Sequence, residues 1–327
     1  MSPSKSETPQ YAWFEGAFVP LNDARISVQT HAFLYGTSIF EGIRGYYLPE
    51  SNSVSIFRMR EHYERMLGNA RLFYLDDSGL DCDEMIRITT ELVARNQPAS
   101  DIYIRPTLYK GNLNITPHLG QTTTAFTVWS IPFGNYLDLG KGLKVCVSSW
   151  RRLRDNAIPP RAKAGGAYMN TALAVTDARK MGFDDAVFLT EAGTVSEGSA
   201  MNLFLVKNNK LITPGATENI LEGITRASLM EIARNELGID TIERCVDRSE
   251  LYLADEAFFC GTGAQVAAIT SFDNRDVGNG QIGPITQKLQ EIYFRIVKNQ
   301  HPRYTGWCTL VDLQKADRQK TKSKAVQ

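Results

Sequence analysis

The stretch Arg161-Ala-Lys163-Ala-Gly-Gly-Ala-Tyr168-Met-Asn170 sets a lysine between two alanines and follows it with two glycines. A solvated lysine usually has polar neighbours; this one has residues too small to shield it. Gly165 and Gly166 remove bulk and free the backbone, so a large planar group can approach closely. A lysine amine becomes nucleophilic when desolvation or a nearby cation lowers its pKa, and its characteristic product is a Schiff base. The same residues also describe a lysine in an ordinary tight turn, and the local sequence alone favours that reading. Two other stretches suit anions. Gly223-Ile224-Thr225-Arg226 opens a helical pattern, where free N–H groups converge and Thr225 suits the cap, although most helix starts bind only water. Gly261-Thr262-Gly263-Ala264 is a small-residue turn able to present N–H groups. In Asp101-Ile-Tyr103-Ile-Arg105-Pro106, period-two alternation puts Tyr103 and Arg105 on one strand face and Ile102 and Ile104 on the other. An arginine on a buried face needs an anionic partner, which is either a protein carboxylate or a substrate's.

The elements that must position these residues follow from the rest of the chain. Its 327 residues, 43% hydrophobic and 22% charged, suffice for a large core and suggest two domains. Lysine plus arginine and aspartate plus glutamate balance at 36 each, so no whole-chain field points to nucleic acid or an anionic membrane. No stretch approaches membrane-spanning length and the first ten residues lack a signal-peptide core. Five scattered cysteines with no C-x-x-C pair predict neither a disulfide scaffold nor a zinc site. The expectation is a cytoplasmic protein without metal, nucleic-acid or membrane partners.

Periodicity predicts a hairpin over Tyr11 to Pro20, turning at Glu15-Gly16, and helices over Arg60 to Phe73 and Asp83 to Asn96. The segment from His31 to Arg44, with Tyr35, Phe40 and Gly42, reads as a buried strand with close packing or as the wall of a small-molecule pocket. Strands are expected at Asp101 to Pro106 and Thr122 to Ile131. Pro132-Phe-Gly-Asn-Tyr136 breaks the pattern and marks the interdomain connection. The second half predicts strands at Leu143 to Trp150, Asp185 to Thr190 and Glu256 to Cys260, and helices over Tyr168 to Met181, from Gly223 to near Gly238, and over Pro284 to Asn299. A hairpin is expected around Asn208-Asn209, whose type tolerates positive φ. Thr194 to Asn202, which contains Glu197, reads as a polar turn, and the chain beyond Gln314 as a basic, disordered tail.

Five motifs then agree in order. Arg65 in Glu-His-Tyr-Glu-Arg, Lys163 in Ala-Lys-Ala-Gly-Gly, Glu197 in Ser-Glu-Gly, Gly-Ile-Thr-Arg at 223–226 and Gly-Thr-Gly-Ala at 261–264 resemble class IV aminotransferases. The resemblance runs from Tyr11 to Trp307. It is strongest to the branched-chain amino acid aminotransferases, whose Tyr-x-Arg-Pro strand and Phe-Glu-Gly-Ile-Arg segment both occur. One departure is Met201, where many bacterial relatives carry an acidic residue. The resemblance implies an α/β protein of fold type IV, with a small N-terminal α/β domain (1–132), a connecting loop (133–139), a larger domain with a pseudo-barrel (140–313) that binds pyridoxal 5′-phosphate (PLP), and the tail (314–327). It implies that Lys163 carries PLP and moves the substrate proton. Glu197 would face the pyridine nitrogen and Tyr168 the phenolate oxygen, while Arg65, Ile224, Thr225 and Thr262 hold the phosphate. Tyr35, Phe40, Gly42 and Tyr136 would line the apolar side-chain space. Tyr103 and Arg105 would receive a side-chain carboxylate, and Thr262 and Gly263 the α-carboxylate. Implied too are ping-pong transfer between leucine, isoleucine or valine and 2-oxoglutarate, amino acids and 2-oxo acids as the small-molecule partners, and a homodimer or multiple of one. An (R)-selective amine or D-amino acid transaminase, and a non-catalytic PLP scaffold, are the alternative readings.

Overall fold

The hairpin at the start of the first unit turns through two residues of positive φ, Glu15 at 50° and Gly16 at 81°. Such a two-residue turn has the twist that adjoining strands require. The computed structural model describes residues 10–134 and 140–314. Within it the chain divides into one unit that runs to Gly134 and takes up the chain again from Ile296, and a second, Asn135–Arg295.

In chain order the first unit holds β1 (Tyr11–Phe14), β2 (Ala17–Pro20), α1 (His31–Tyr35), β3 (Ser38–Phe40), β4 (Ile43–Leu48), β5 (Ser53–Phe57), α2 (Met59–Ala70), α3 (Cys82–Asn96), β6 (Ile102–Lys110) and β7 (Thr124–Pro132). The strands form an antiparallel sheet ordered β5-β4-β6-β7-β1-β2, with β3 also on β6. Asp81 caps α3 by accepting from the Glu84 N–H at 2.8 Å. The α3 stripe Met85, Ile88 and Leu92 packs with Tyr63 and Met66 of α2 over Ile102, Ile104 and Leu108. The expected alternation of β6 therefore holds, and Tyr103 and Arg105 occupy the face away from that core.

The segment 31–44 is not one strand. α1 ends at Gly36, left-handed with φ 66°, and β3 and β4 then pair with β6 on either side of a gap at Glu41-Gly42. Opposite the gap stands Pro106, whose carbonyl accepts from the Glu41 N–H at 3.0 Å but which has no N–H to return. A proline in the middle of β6 thus sets where the neighbouring strand breaks.

The second unit contains β8 (Leu143–Arg151), α4 (Tyr168–Lys180), β9 (Asp185–Leu189), β10 (Val195–Gly198), β11 (Asn202–Lys207), β12 (Lys210–Pro214), α5 (Ile224–Leu237), β13 (Thr241–Arg244), β14 (Glu256–Gly261), β15 (Gln265–Phe272), β16 (Arg275–Asp276) and α6 (Pro284–Val297). Its mixed sheet runs β10-β9-β8-β15-β14-β11-β12-β13, with β16 on β15. The parallel strand β9 and the middle of β8, from Val145 to Ser148, are covered on both faces, as parallel strands generally are. Val145, Val187 and Leu189 join the main core; Cys146, Ala186 and Phe188 lie under Ala174 and Ala178 of α4. Asn208 and Asn209, at φ 51° and 57°, turn β11 into β12 as expected.

Two further expectations change. Thr194 to Asn202 is not simply a turn: Val195–Gly198 is a buried strand paired with β9, its polar character absorbed by contacts such as Ser196 Oγ to the Glu218 carbonyl at 2.6 Å. The expected second domain ended at 313, whereas β17 (Cys308–Asp312) pairs antiparallel with β5 of the first unit, from Cys308 opposite Phe57 to Asp312 opposite Ser53. Long-range strand pairing, invisible to local periodicity, decides this. Residues 135–139, with Tyr136, and the basic tail beyond 314 lie outside the described residues. Among the described residues no helix is long and apolar enough to cross a membrane.

Candidate active site

In the second unit a short 3-10 turn, Pro160–Ala162, ends at Lys163, which adopts a left-handed conformation with φ 52°. For a residue with a Cβ this costs roughly 1–2 kcal/mol. A second short turn, Gly165–Ala167, leads into α4 and returns the chain so that the Lys163 Nζ donates to the Tyr168 hydroxyl at 2.8 Å. An amine held on a phenol at the head of a helix is a defined arrangement, unlike a solvated lysine.

Glu197, on β10, is 3% exposed. Its Oε1 takes a hydrogen bond from Arg152 at 2.7 Å; its Oε2 takes one from Asn202 Nδ2 at 3.0 Å and one from the Leu221 N–H at 3.1 Å. Burial pushes the Glu197 carboxyl above the usual carboxylate range, opposed most strongly by the Arg152 charge, then by the Leu221 N–H and the Lys163 charge. Lys163 and Glu197 therefore feel each other electrostatically.

Asn202 links Glu197 to the start of α5. Its Nδ2 also donates to the Leu221 carbonyl at 2.7 Å, and its Oδ1 sits where a side chain on Gly223 would begin: a Cβ there would lie 2.0 Å from it. Gly223, not Thr225, is the N-cap of α5, and among the described residues no side chain caps its first N–H groups. Thr225 is instead the second helical residue, 3% exposed, and its hydroxyl has no partner among the described residues. Ile224 is half-buried beside it. A long helix opening on an uncapped turn with a spare hydroxyl can hold an anion. Asn202 also pairs with Cys260, so the β14–β15 turn bearing Thr262 and Gly263 follows directly, with Gly261 against Ala200 and Met201. Glu197, the start of α5 and this hairpin turn are thus joined through Asn202, and the Lys163–Tyr168 pair acts on Glu197 through the lysine charge.

The first unit holds the other candidates. Arg65 on α2 is not solvated: its Nε and Nη2 grip both oxygens of Glu41 at 2.7 and 2.6 Å. The His62 ring donates to Glu41 Oε2 at 2.8 Å. Burial alone would raise the Glu41 carboxyl, but the Arg65 charge and the His62 hydrogen bond override it and hold it well below the usual carboxylate range. Glu41 sits in the strand gap opposite Pro106. Gly42, in the same gap, must lack a side chain, since a Cβ would lie 2.2 Å from the Tyr103 hydroxyl. That hydroxyl accepts from Arg105 Nη2 at 3.0 Å, and the Arg105 guanidinium lies over the Phe40 ring at 4.1 Å. Among the described residues no carboxylate pairs with Arg105, and its buried Nε has no partner. Tyr35 is engaged elsewhere: half-exposed on α1, it donates to the Ile115 carbonyl.

The family model for amino-transferase class IV matches residues 38–272, more than half of the sequence. The chain belongs to the class IV aminotransferases. This class IV aminotransferase is 46% identical over 307 residues to a probable branched-chain-amino-acid aminotransferase of Aquifex aeolicus, covering 94% of this chain and 98% of that one. The branched-chain amino acid aminotransferase of Thermobaculum terrenum, solved in its PLP-form, superposes with a TM-score of 0.88 at 37% identity, covering 94% of this chain and 99% of that one. The T.th. branched-chain amino acid aminotransferase complexed with N-(5′-phosphopyridoxyl)-L-glutamate gives a TM-score of 0.86 at 36% identity, over 92% and 98%. The fold is accordingly fold type IV. Sequence reasoning on this aminotransferase missed Glu41, His62, Arg152 and Asn202. Glu41 had a signal, a lone acid in a glycine-rich apolar segment. Arg152, in a run of basic residues after a strand, had none.

Proposed function

We propose that this chain is a PLP-dependent branched-chain-amino-acid aminotransferase that passes the amino group to 2-oxoglutarate in two half-reactions. The observation that carries the reading is the Lys163 amine held on the Tyr168 hydroxyl within the field of a buried Glu197. The donor set suits a phosphorylated pyridine aldehyde: an amine for the carbonyl carbon, a phenol for the ring hydroxyl, a carboxylate for the ring nitrogen, and an uncapped helix start with a spare hydroxyl for the phosphate. When bound, PLP supplies an electron sink for the breaking Cα–H bond. Lys163 Nζ, released by the incoming amino acid, is the group that takes the proton from Cα and returns it. Ile224, Thr225 and Thr262 are the proposed phosphate and carboxylate donors on this unit, with Gly263 beside them. Arg65, gripped by both oxygens of Glu41 in the first unit, is the further phosphate contact that the resemblance implies.

The substrate range follows from Arg105. A positive group stacked on Phe40, bonded to Tyr103 and lacking a carboxylate partner among the described residues suits a ligand's anionic side chain, and the aromatic surroundings suit an apolar one. The Aquifex aeolicus relative is named for branched-chain substrates, and the T.th. structure holds a glutamate adduct. An amino-donor panel with 2-oxoglutarate as acceptor tests this: leucine, isoleucine and valine should be consumed, and D-alanine and (R)-1-phenylethylamine should react far more slowly. Turnover of either of the last two at the leucine rate would overturn the assignment.

We also infer a homodimer, or a multiple of one. Ile26, Val28, Phe33, Leu34, Leu113 and Ile115 lie exposed in the first unit on segments tied together by the His31 N–H to the Asn112 carbonyl at 2.9 Å. So many exposed apolar side chains on joined segments favour a protein partner over water. Light scattering at micromolar concentration should give twice the chain mass or more; a fully active monomer would contradict it.

A further inference from the structure

Glu197 can accept about four hydrogen bonds, two on each oxygen. Oε2 is full, taking Asn202 Nδ2 and the Leu221 N–H. Among the described residues Oε1 has Arg152 alone, so one acceptor position remains and it lies on Oε1. The orientation of Asn202 is fixed by its neighbours, because its nitrogen faces two acceptors, Glu197 Oε2 and the Leu221 carbonyl. Every group touching the carboxylate is a donor. A proton on any of the three occupied positions would face an N–H, so only the open position on Oε1 can hold one.

We propose that Arg152 and Asn202 act as positioning residues that present Glu197 to the cofactor through Oε1 alone and keep the proton of that contact on the ring nitrogen. The inference rests on the reading of Glu197 as the partner of the pyridine nitrogen. Arg152 achieves this by charge: its guanidinium is next to the carboxylate and further from the ring nitrogen, so it favours the carboxylate–pyridinium pair over the acid–pyridine pair. Its own placement is built in, since its N–H donates to the Leu189 carbonyl at 2.9 Å and its side chain is nine-tenths buried. Asn202 acts by occupancy, and Gly223 is the residue that leaves room for it. The other charged or titratable groups near Glu197 are Lys163 and the buried thiol of Cys260.

The test loads the purified full chain with PLP labelled with ¹⁵N in the ring and records the nitrogen chemical shift, which separates pyridinium from pyridine. Wild type should give the pyridinium signal. In Arg152→Gln the signal should move toward pyridine, and Arg152→Lys should restore it. The PLP dissociation constant of Arg152→Gln should rise by about 10- to 100-fold, the equivalent of losing one hydrogen bond to a charged group. Glu197→Gln combined with Arg152→Gln should be no worse than Glu197→Gln alone. If Arg152→Gln does not fold, Asn202→Ala carries the same test, with a smaller shift in the same direction. An unmoved signal in the variant that binds PLP, or an additive loss in the double variant, overturns the clamp and leaves the parent reading standing. A pyridine signal in wild type, or no PLP binding, overturns the parent reading itself.

Discussion

Replacing Lys163 with alanine is expected to remove nearly all turnover while leaving PLP able to bind. The amine is both the attachment point and the proposed base, and loss of a positioned base alone costs about 10²–10⁴ in rate. The change removes the Lys163 donor from the Tyr168 hydroxyl and one charge from the field at Glu197, but it leaves the helix start at Gly223 and the hydrogen bonds that hold Glu197 in place, so the contacts to phosphate and ring nitrogen persist. Borohydride reduction of the wild-type protein should abolish its yellow absorbance and leave the label on a peptide containing Lys163. The natural control is Lys110, which is buried and whose amine is committed to the Tyr74 and Thr122 carbonyls and the Thr124 hydroxyl. A label on Lys110, or on any other lysine, would sink the assignment.

Arg105→Ala should damage one half-reaction and spare the other. If the guanidinium receives the second carboxylate of glutamate or 2-oxoglutarate, its loss removes a charged hydrogen-bonded pair in a partly desolvated site, about 2–5 kcal/mol. The Michaelis constant for 2-oxoglutarate should rise accordingly. Leucine brings no second carboxylate, so its half-reaction should change by less than about tenfold, roughly 1.4 kcal/mol. Single-turnover measurements of each half-reaction separate these outcomes. Equal losses for both substrates, with a fall in melting temperature, would mean that the arginine holds the strand through Tyr103 and Phe40 and does not read the ligand.

What was legible in the sequence divides along physical lines. Helices with a continuous apolar stripe, such as α3, and turns with a residue type that accepts positive φ, such as Asn208-Asn209, are specified locally and were readable. The face shared by Tyr103 and Arg105 followed from alternation alone. Lys163 and Tyr168 were named together by resemblance, but their contact depends on a left-handed backbone at Lys163 that no propensity suggests. The supports of the site were less legible. Glu41 reaches Arg65 only because a proline on another strand interrupts β3 and β4, and Arg152 reaches Glu197 only through the pairing of β8 with β9. Buried ion pairs join residues far apart in sequence, and polar residues such as those of β10 look like a loop until their partners are known.

The pairing of β17 with β5 bears on how the polypeptide matures. During synthesis every other strand of the first sheet emerges from the ribosome well before Cys308–Asp312. Until then β5, buried along its length in the finished protein, presents a bare row of N–H and C=O groups. The N-terminal unit is thus translated first and sealed last, after the whole second unit has been made. A nascent chain stalled or cleaved before residue 308 carries an open, apolar strand edge, the form in which chains pair with one another in place of their own missing strand.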